Sequence, residues 1–300
     1  DDESTDITPN VSRAFAETYP NVRLLSTEGI PSVLRYKKRP LDVGIRSARG
    51  EIILLTDADC HVGSTWIESM TSYFEPHVGL VVGFSETAPA KTRFEKLQAL
   101  DFLLLMAAAR GTTQLRLPFA CTGQNLAYRK QAFEEVGGFS RFANAVGGDD
   151  TLLLQQIKTR TAWKIVFAAD PACYASSPPL PTVKGYVSQR LRWASDTLRI
   201  PRTDVLLLAM IAITFLANLL SLTMVLTLLF GAGALLPLLK GLGLKFVVEG
   251  MLMLKATSLF RRTRLRPIFP AWFFLQIPYV VMVATLTLAG DRLPWGGRHR

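Results

Sequence analysis

A run of 26 residues without a single charge, 205–230, constrains this chain more than any other feature. A helix rises about 1.5 Å per residue, so about 20 apolar residues cross a hydrocarbon core roughly 30 Å thick. A second uncharged run of 23 residues covers 268–290. Between them, 231–260 is apolar but interrupted by Lys240, Lys245, Glu249 and Lys255. That segment reads as a further span followed by an interfacial helix, or as mostly interfacial. The chain is therefore expected to divide near Pro201. A soluble region covers 1–200, and a membrane region with two to three transmembrane helices covers 201–300.

Charge follows the same division. After residue 202, ten Lys/Arg stand against three acids; in residues 1–202, 24 stand against 21. Positive charge beside apolar segments points to anionic lipid headgroups and not to nucleic acid, whose basic stripe would lie on the soluble part. Arg261, Arg262, Arg264 and Arg266 form the densest basic loop, which the positive-inside rule places in the cytoplasm. The expectation is an integral membrane protein of a bacterial inner membrane with its soluble region facing the cytoplasm. Arg292, Arg298 and Arg300 then fall on the far side, which the same rule disfavours, so the number of spans stays open. Cys60, Cys121 and Cys173 are too scattered for a disulfide scaffold or a cysteine zinc site.

The soluble region alternates strands and helices. Strands are expected at 21–25, 51–56, 78–84 and 164–168, with 51–56 (EIILLT) a central strand buried on both faces. Helices are expected at 40–48, 64–74, 94–110, 130–136 and 150–160, with Gly137 and Gly138 ending the fourth. This alternation implies an α/β sheet with helices on its faces. Asp1 and Asp2 read as a turn that normally follows a strand, and no signal peptide is visible. A fragment lacking at least one βα unit is therefore expected.

Several groups could carry chemistry. Asp57 and Asp59 directly follow an apolar strand, where an open α/β sheet binds its ligands. Two acids one residue apart can share Mg2+ or Mn2+, which prefer oxygen ligands and keep positions free for phosphate; a solvated acidic turn fits equally well. Neighbouring Cys60 reads as a packed thiol and His61 as a surface imidazole. Asp149 and Asp150 open an apolar helix after two glycines. Helix capping accounts for Asp149, while Asp150 is open to service as a general base. Gln189, Arg190, Arg192 and Trp193 lie just before the membrane region. They could clamp a pyrophosphate and offer a flat face to a sugar, or form a snorkelling interfacial helix. Lys37 and Lys38 could neutralise phosphate or sit on a solvated turn. The stretch 122–125 (TGQN) reads as a tight turn before a helix.

In this order the pieces resemble the family-2 glycosyltransferases of GT-A fold. The segments that carry the likeness are DDESTD at 1–6, KKRPLDVGIRSARGEIILLTDAD at 37–59 and TGQNLAYRKQAFEEVGGF at 122–139. GGDDTLL at 147–153 and QRLRW at 189–193 complete it. The resemblance implies a GT-A type (Rossmann-like) mixed sheet with helices on both faces, followed by C-terminal transmembrane or interfacial helices. It implies Asp1 and Asp2 at the nucleoside, Lys37 or Lys38 near the base or phosphates, and Asp59, helped by Asp57, on the metal. It further implies Gly123 and Asn125 in the donor-sugar pocket, Asp150 as general base beside Asp149, and Gln189, Arg192 and Trp193 around diphosphate and acceptor. The implied reaction is inverting transfer of a hexosyl or N-acetylhexosaminyl group from a nucleotide sugar, a UDP-sugar being the commonest donor. The acceptor would be a lipid or glycan hydroxyl. A nucleotide-sugar-binding scaffold without catalysis is the alternative. A channel is disfavoured because the spans carry few ionisable groups.

Overall fold

The computed structural model describes residues 1–145, 147–197, 205–231 and 233–289. The expected division at Pro201 and the basic tail with Arg292, Arg298 and Arg300 lie outside the described residues.

The chain opens with α1 (Thr8–Thr18) and α2 (Lys38–Ser47). There follow β1 (Ile52–Leu55), β2 (His61–Val62), α3 (Trp66–Thr71), β3 (Val78–Gly83) and β4 (Ser85–Thr87). The long helix α4 (Arg93–Gln114) begins at a capping box in which Thr92 and Glu95 bond each other's backbone N–H. Next come β5 (Leu126–Arg129), α5 (Lys130–Glu135), α6 (Thr151–Arg160), β6 (Lys164–Ala168) and β7 (Ala175–Ser177). The helices α7 (Val183–Thr197), α8 (Val205–Leu229), α9 (Leu235–Leu259) and α10 (Phe269–Leu288) complete the order.

The main sheet has the order β1-β5-β3-β6, with β5 antiparallel to both neighbours and β6 parallel to β3. It is a mixed sheet, as the resemblance implies. Strand β3 (VGLVVG) is buried along its whole length because both faces are covered. Leu80 and Val82 join the core under α4 and α6, while Val81 joins Trp66 and Met70 of α3 on the opposite face. A smaller sheet, β2-β7-β4, stands beside it.

Three local expectations are corrected. Residues 21–25 form no strand, because their backbone pairs with no neighbouring strand. The strand at 51–56 forms as β1 but lies at the sheet edge, not its centre, and only Ile53 is buried. The stretch 122–125 is a turn before the strand β5, not before a helix.

The C-terminal helices share one core with the sheet. Met253, Phe260, Phe269 and Phe273 pack into the same cluster as Leu80, Leu100 and Leu126. Phe260 stacks on Phe84 with ring centroids 4.0 Å apart, and Arg262 forms a two-pronged ion pair with Glu86 of β4. The helical segments Leu207–Leu229 and Thr263–Leu288 are long and apolar enough to cross a membrane. The charged middle segment is one continuous helix, α9. Its Lys245 ion-pairs Glu249 at 2.6 Å, and Gln276 of α10 donates to the same carboxylate at 2.7 Å. These two charges therefore satisfy each other inside the helix bundle.

Candidate active site

The site is built on the start of α2. Tyr36 adopts the left-handed conformation (φ +58°), and the next residue, Lys37, is the N-cap of α2. The ammonium of Lys37 bonds Oδ1 of Asp57 just past β1 and lies 3.6 Å from Oδ2 of Asp149. Burial works against the lysine's charge, but Asp149 and Asp57, with Asp150 behind them, hold its pKa above the ordinary lysine value. One cation thus joins the acids after β1 to the acids before α6.

Lys38 does something else. Its buried ammonium donates to the carbonyls of Ala145 and Gly147, so it braces the loop that carries Asp149 and Asp150. Of the two lysines expected near the base or phosphates, Lys37 is the one placed among the acids.

Asp150, not Asp149, is the N-cap of α6, accepting from the backbone N–H of Thr151. Its other oxygen accepts from the N–H of Gly123 at 2.8 Å. Burial, and after it the charge of Asp149, pushes the Asp150 carboxyl up to about 6 despite these bonds. The hydroxyl of Thr151 donates to the carbonyl of Cys121, tying the two loops a second time. Gly123 sits at their meeting point. A Cβ there would lie 3.2 Å from Nζ of Lys37, close enough to displace the ammonium by a few tenths of an ångström, and 3.4 Å from Oδ2 of Asp149, an ordinary contact.

Asn125, expected beside Gly123 in the donor-sugar pocket, has its amide hydrogen-bonded within the fold. It is fully buried, donates to the carbonyls of Phe84 and Cys173, and accepts from the indole N–H of Trp66 at 3.0 Å. Its amide is spent on joining β5 to the smaller sheet, and any Cβ at Gly83 would overlap it.

Asp59 is exposed, and its carboxylate lies with those of Asp57 and the thiol of Cys60 in a group whose ligand atoms are within 4.8 Å of one another. Two carboxylates with open solvent beside them fit a hard divalent cation that keeps free positions. Cys60 is half-buried and His61 exposed on β2.

Asp1 and Asp2 lie against the backbone and hydroxyl of Thr27. Thr27 donates to Oδ1 of Asp2 at 2.7 Å, and Arg39, two residues after Lys37, reaches Asp2 and Glu3. Gln189 and Trp193 of α7 line a small polar chamber with Gln124, next in sequence to Gly123. Arg192 is half-buried on α7 and does not line that chamber. The sequence reading missed Arg39, Asp101 and Gln124 as organising residues and named Arg190 only as one of several basic groups; for Arg39, adjacency to Lys37 and Lys38 was the available signal.

A family description fits nearly the whole chain: residues 2–299 match glycosyl transferase family 21, a family of GT-A type. The chain belongs to glycosyl transferase family 21. The GT-A resemblance is thereby upheld, with family 21 in place of family 2. Among solved structures, this family-21 chain is similar to the mannosyltransferase PcManGT from Pyrobaculum calidifontis, solved in complex with GDP-Man and Mn2+. The identity is 17%, the TM-score 0.52, and the match covers 97% of this chain and 76% of the other. At that identity the likeness speaks for the fold. No curated protein matches the chain.

Proposed function

We propose that this family-21 chain is a membrane-bound inverting glycosyltransferase that moves a sugar from a nucleotide-sugar donor to a hydroxyl of a lipid or glycan. The observation that carries the reading is Asp150. It is a half-buried carboxylate pushed up to about 6, fixed by Gly123 and Thr151, in a cluster with Asp149, Lys37 and Asp57. A base near the working pH can accept a proton from an acceptor hydroxyl as that oxygen attacks the anomeric carbon.

The residues divide the work by position. Asp150 takes the acceptor's proton. Asp149 raises its proton affinity and, with Asp57, holds the Lys37 ammonium. Lys37 offers fixed positive charge to a departing diphosphate. Asp59 and Asp57 are the residues that would hold Mg2+ or Mn2+, and such a cation supplies Lewis-acid charge to the diphosphate. Asp1 and Asp2 are assigned to the nucleoside, Gly123 to the donor sugar, and Gln189, Arg192 and Trp193 to the acceptor side.

The two long apolar helices support a bilayer location, with a soluble part at 1–200 and a membrane part at 201–300. The pair Arg262–Glu86 puts the basic loop on the same side as the catalytic sheet, which fits a cytoplasmic catalytic region. The neighbour's GDP-Man and Mn2+ support a hexosyl donor and a divalent metal.

The test offers membranes holding the protein a panel of UDP- and GDP-sugars with and without Mn2+. Release of nucleoside diphosphate from one donor class, dependent on the metal, is expected. Binding of donor without release would favour a non-catalytic scaffold.

A further inference from the structure

Arg190 belongs to the basic–aromatic segment before the membrane region, but neither the resemblance nor the proposed chemistry gives it a role. It lies on α7 between Gln189 and Trp193, and its side chain is only 7% exposed. Its Nη2 lies 2.7 Å from Oδ2 of Asp101 on α4. The same carboxylate accepts from the hydroxyl of Tyr186 at 2.8 Å and from the indole N–H of Trp272 on α10 at 3.3 Å. The guanidinium is 4.4 Å from the ring centre of Trp193 and 4.9 Å from that of Tyr186. Tyr186 in turn stacks on Tyr279 of α10, and Trp193 leans on Phe102 of α4.

This is an expensive arrangement. Burying an arginine carries a large desolvation cost, which a single carboxylate offsets only partly. Nε and Nη1 of Arg190, with Oε1 of Gln124, are buried without a hydrogen-bond partner among the described residues. Both residues line a polar chamber of about 20 Å³, bordered also by Gln189 and Ser177, which is room for one water. An apolar side chain would pack the same space more cheaply. A planar cation, however, can grip Asp101 and lie against Trp193 at once.

We infer that Arg190, held by Asp101, is a positioning residue: it fixes Trp193 and Gln189 for the acceptor and ties their geometry to the apolar helix α10. The inference rests on the transferase reading above and deepens its acceptor side. Because Trp272 and Tyr279 enter the same network, the acceptor-binding face and the bilayer-facing helix move as one unit. That is the coupling a lipid acceptor entering from the membrane requires.

Arg190→Lys tests this. It keeps the charge beside Asp101 but removes the plane that lies against Trp193. The full chain in vesicles carries ceramide, diacylglycerol or a polyprenyl phosphate in separate arms, with UDP- or GDP-sugars as donors. In the arm that supports transfer, the variant is expected to raise the half-saturating acceptor content roughly five- to tenfold and to leave the half-saturating donor concentration unchanged. Donor hydrolysis to water should also stay at its native rate. Acrylamide quenching gives a second readout, taken as the difference from a Trp193→Phe background. Trp193 should be shielded in the native chain and exposed in Arg190→Lys. Equal changes for donor and acceptor, or an unchanged acceptor requirement with Trp193 still shielded, would overturn the positioning role. If no donor is consumed in any arm by the native chain, the transferase reading itself fails and takes the inference with it.

Discussion

The backbone N–H of Gly123 points at Oδ2 of Asp150 across 2.8 Å, and this bond joins the turn before β5 to the cap of α6. A Cβ at Gly123 would press on the ammonium of Lys37 at 3.2 Å. Gly123→Ala is therefore expected to leave the fold intact and to cut transfer by about 10–100-fold, since small displacements of a reacting group are costly. Circular dichroism alongside initial rates checks it; native rates with alanine would contradict the crowding argument.

The pH dependence follows from Asp150. Its carboxyl must be ionised to accept a proton, and burial with Asp149 pushes it up to about 6. Turnover should rise with pH through about 6 and fall on the acid side. The stability linkage has the opposite sign. The native state binds the proton more tightly than the unfolded chain, whose value is near 3.8. The associated stability is complete below that value and lost as pH rises through about 6. A pH–rate profile with no break between 5 and 7 would remove Asp150 from the role of base.

Lys37 is held by Asp57 and Asp149. Lys37→Met would leave three carboxylates without their shared cation. Allowing for its partial exposure, we expect a loss of about 1–2 kcal/mol, larger at pH 8 than at pH 5, and a raised donor KM. Thermal melts at the two pH values measure the first part. A melting point insensitive to the substitution at both would show that the acids do not depend on the lysine.

Arg262 and Phe260 fasten the C-terminal helices to β4. Arg262→Ala is expected to destabilise the chain by about 1–3 kcal/mol, and Glu86→Ala to add little on top of it. Additive losses in the double variant would deny the pair.

Much of this was legible in the sequence, for reasons that differ by element. β3 and β6 were readable because an apolar run closed by polar residues has few alternatives to a buried strand. The long uncharged runs were readable because length alone sets the bilayer criterion. β1 was readable as a strand but not as an edge, because an apolar run does not say which neighbours arrive. The acids at 57, 59, 149 and 150 were readable as chemistry; their joint dependence on Lys37 was not, since 20 residues separate Lys37 from Asp57 and only the fold closes that gap. The hydrogen-bond partners of Lys38 and Asn125 were not legible either. A polar residue inside a motif can be spent on backbone carbonyls, and only the hydrogen-bond partners reveal it. Asp101 gave no signal, since a lone acid in an apolar helix looks like a surface residue until Arg190 and Trp272 are found beside it.

The central claim is that the carboxylates at β1 and α6 form one reaction centre. Asp59 is exposed, so Asp59→Asn should fold normally, with a stability change within about 0.5 kcal/mol. The decisive measurement is nucleoside-diphosphate release from the active donor, titrated with Mn2+, for the native chain, Asp59→Asn and Asp150→Asn. The account predicts a much higher Mn2+ requirement for Asp59→Asn. For Asp150→Asn it predicts a roughly 10²–10⁴-fold lower rate at an unchanged Mn2+ requirement. Native rates in Asp150→Asn, or a native Mn2+ requirement in Asp59→Asn, would contradict it.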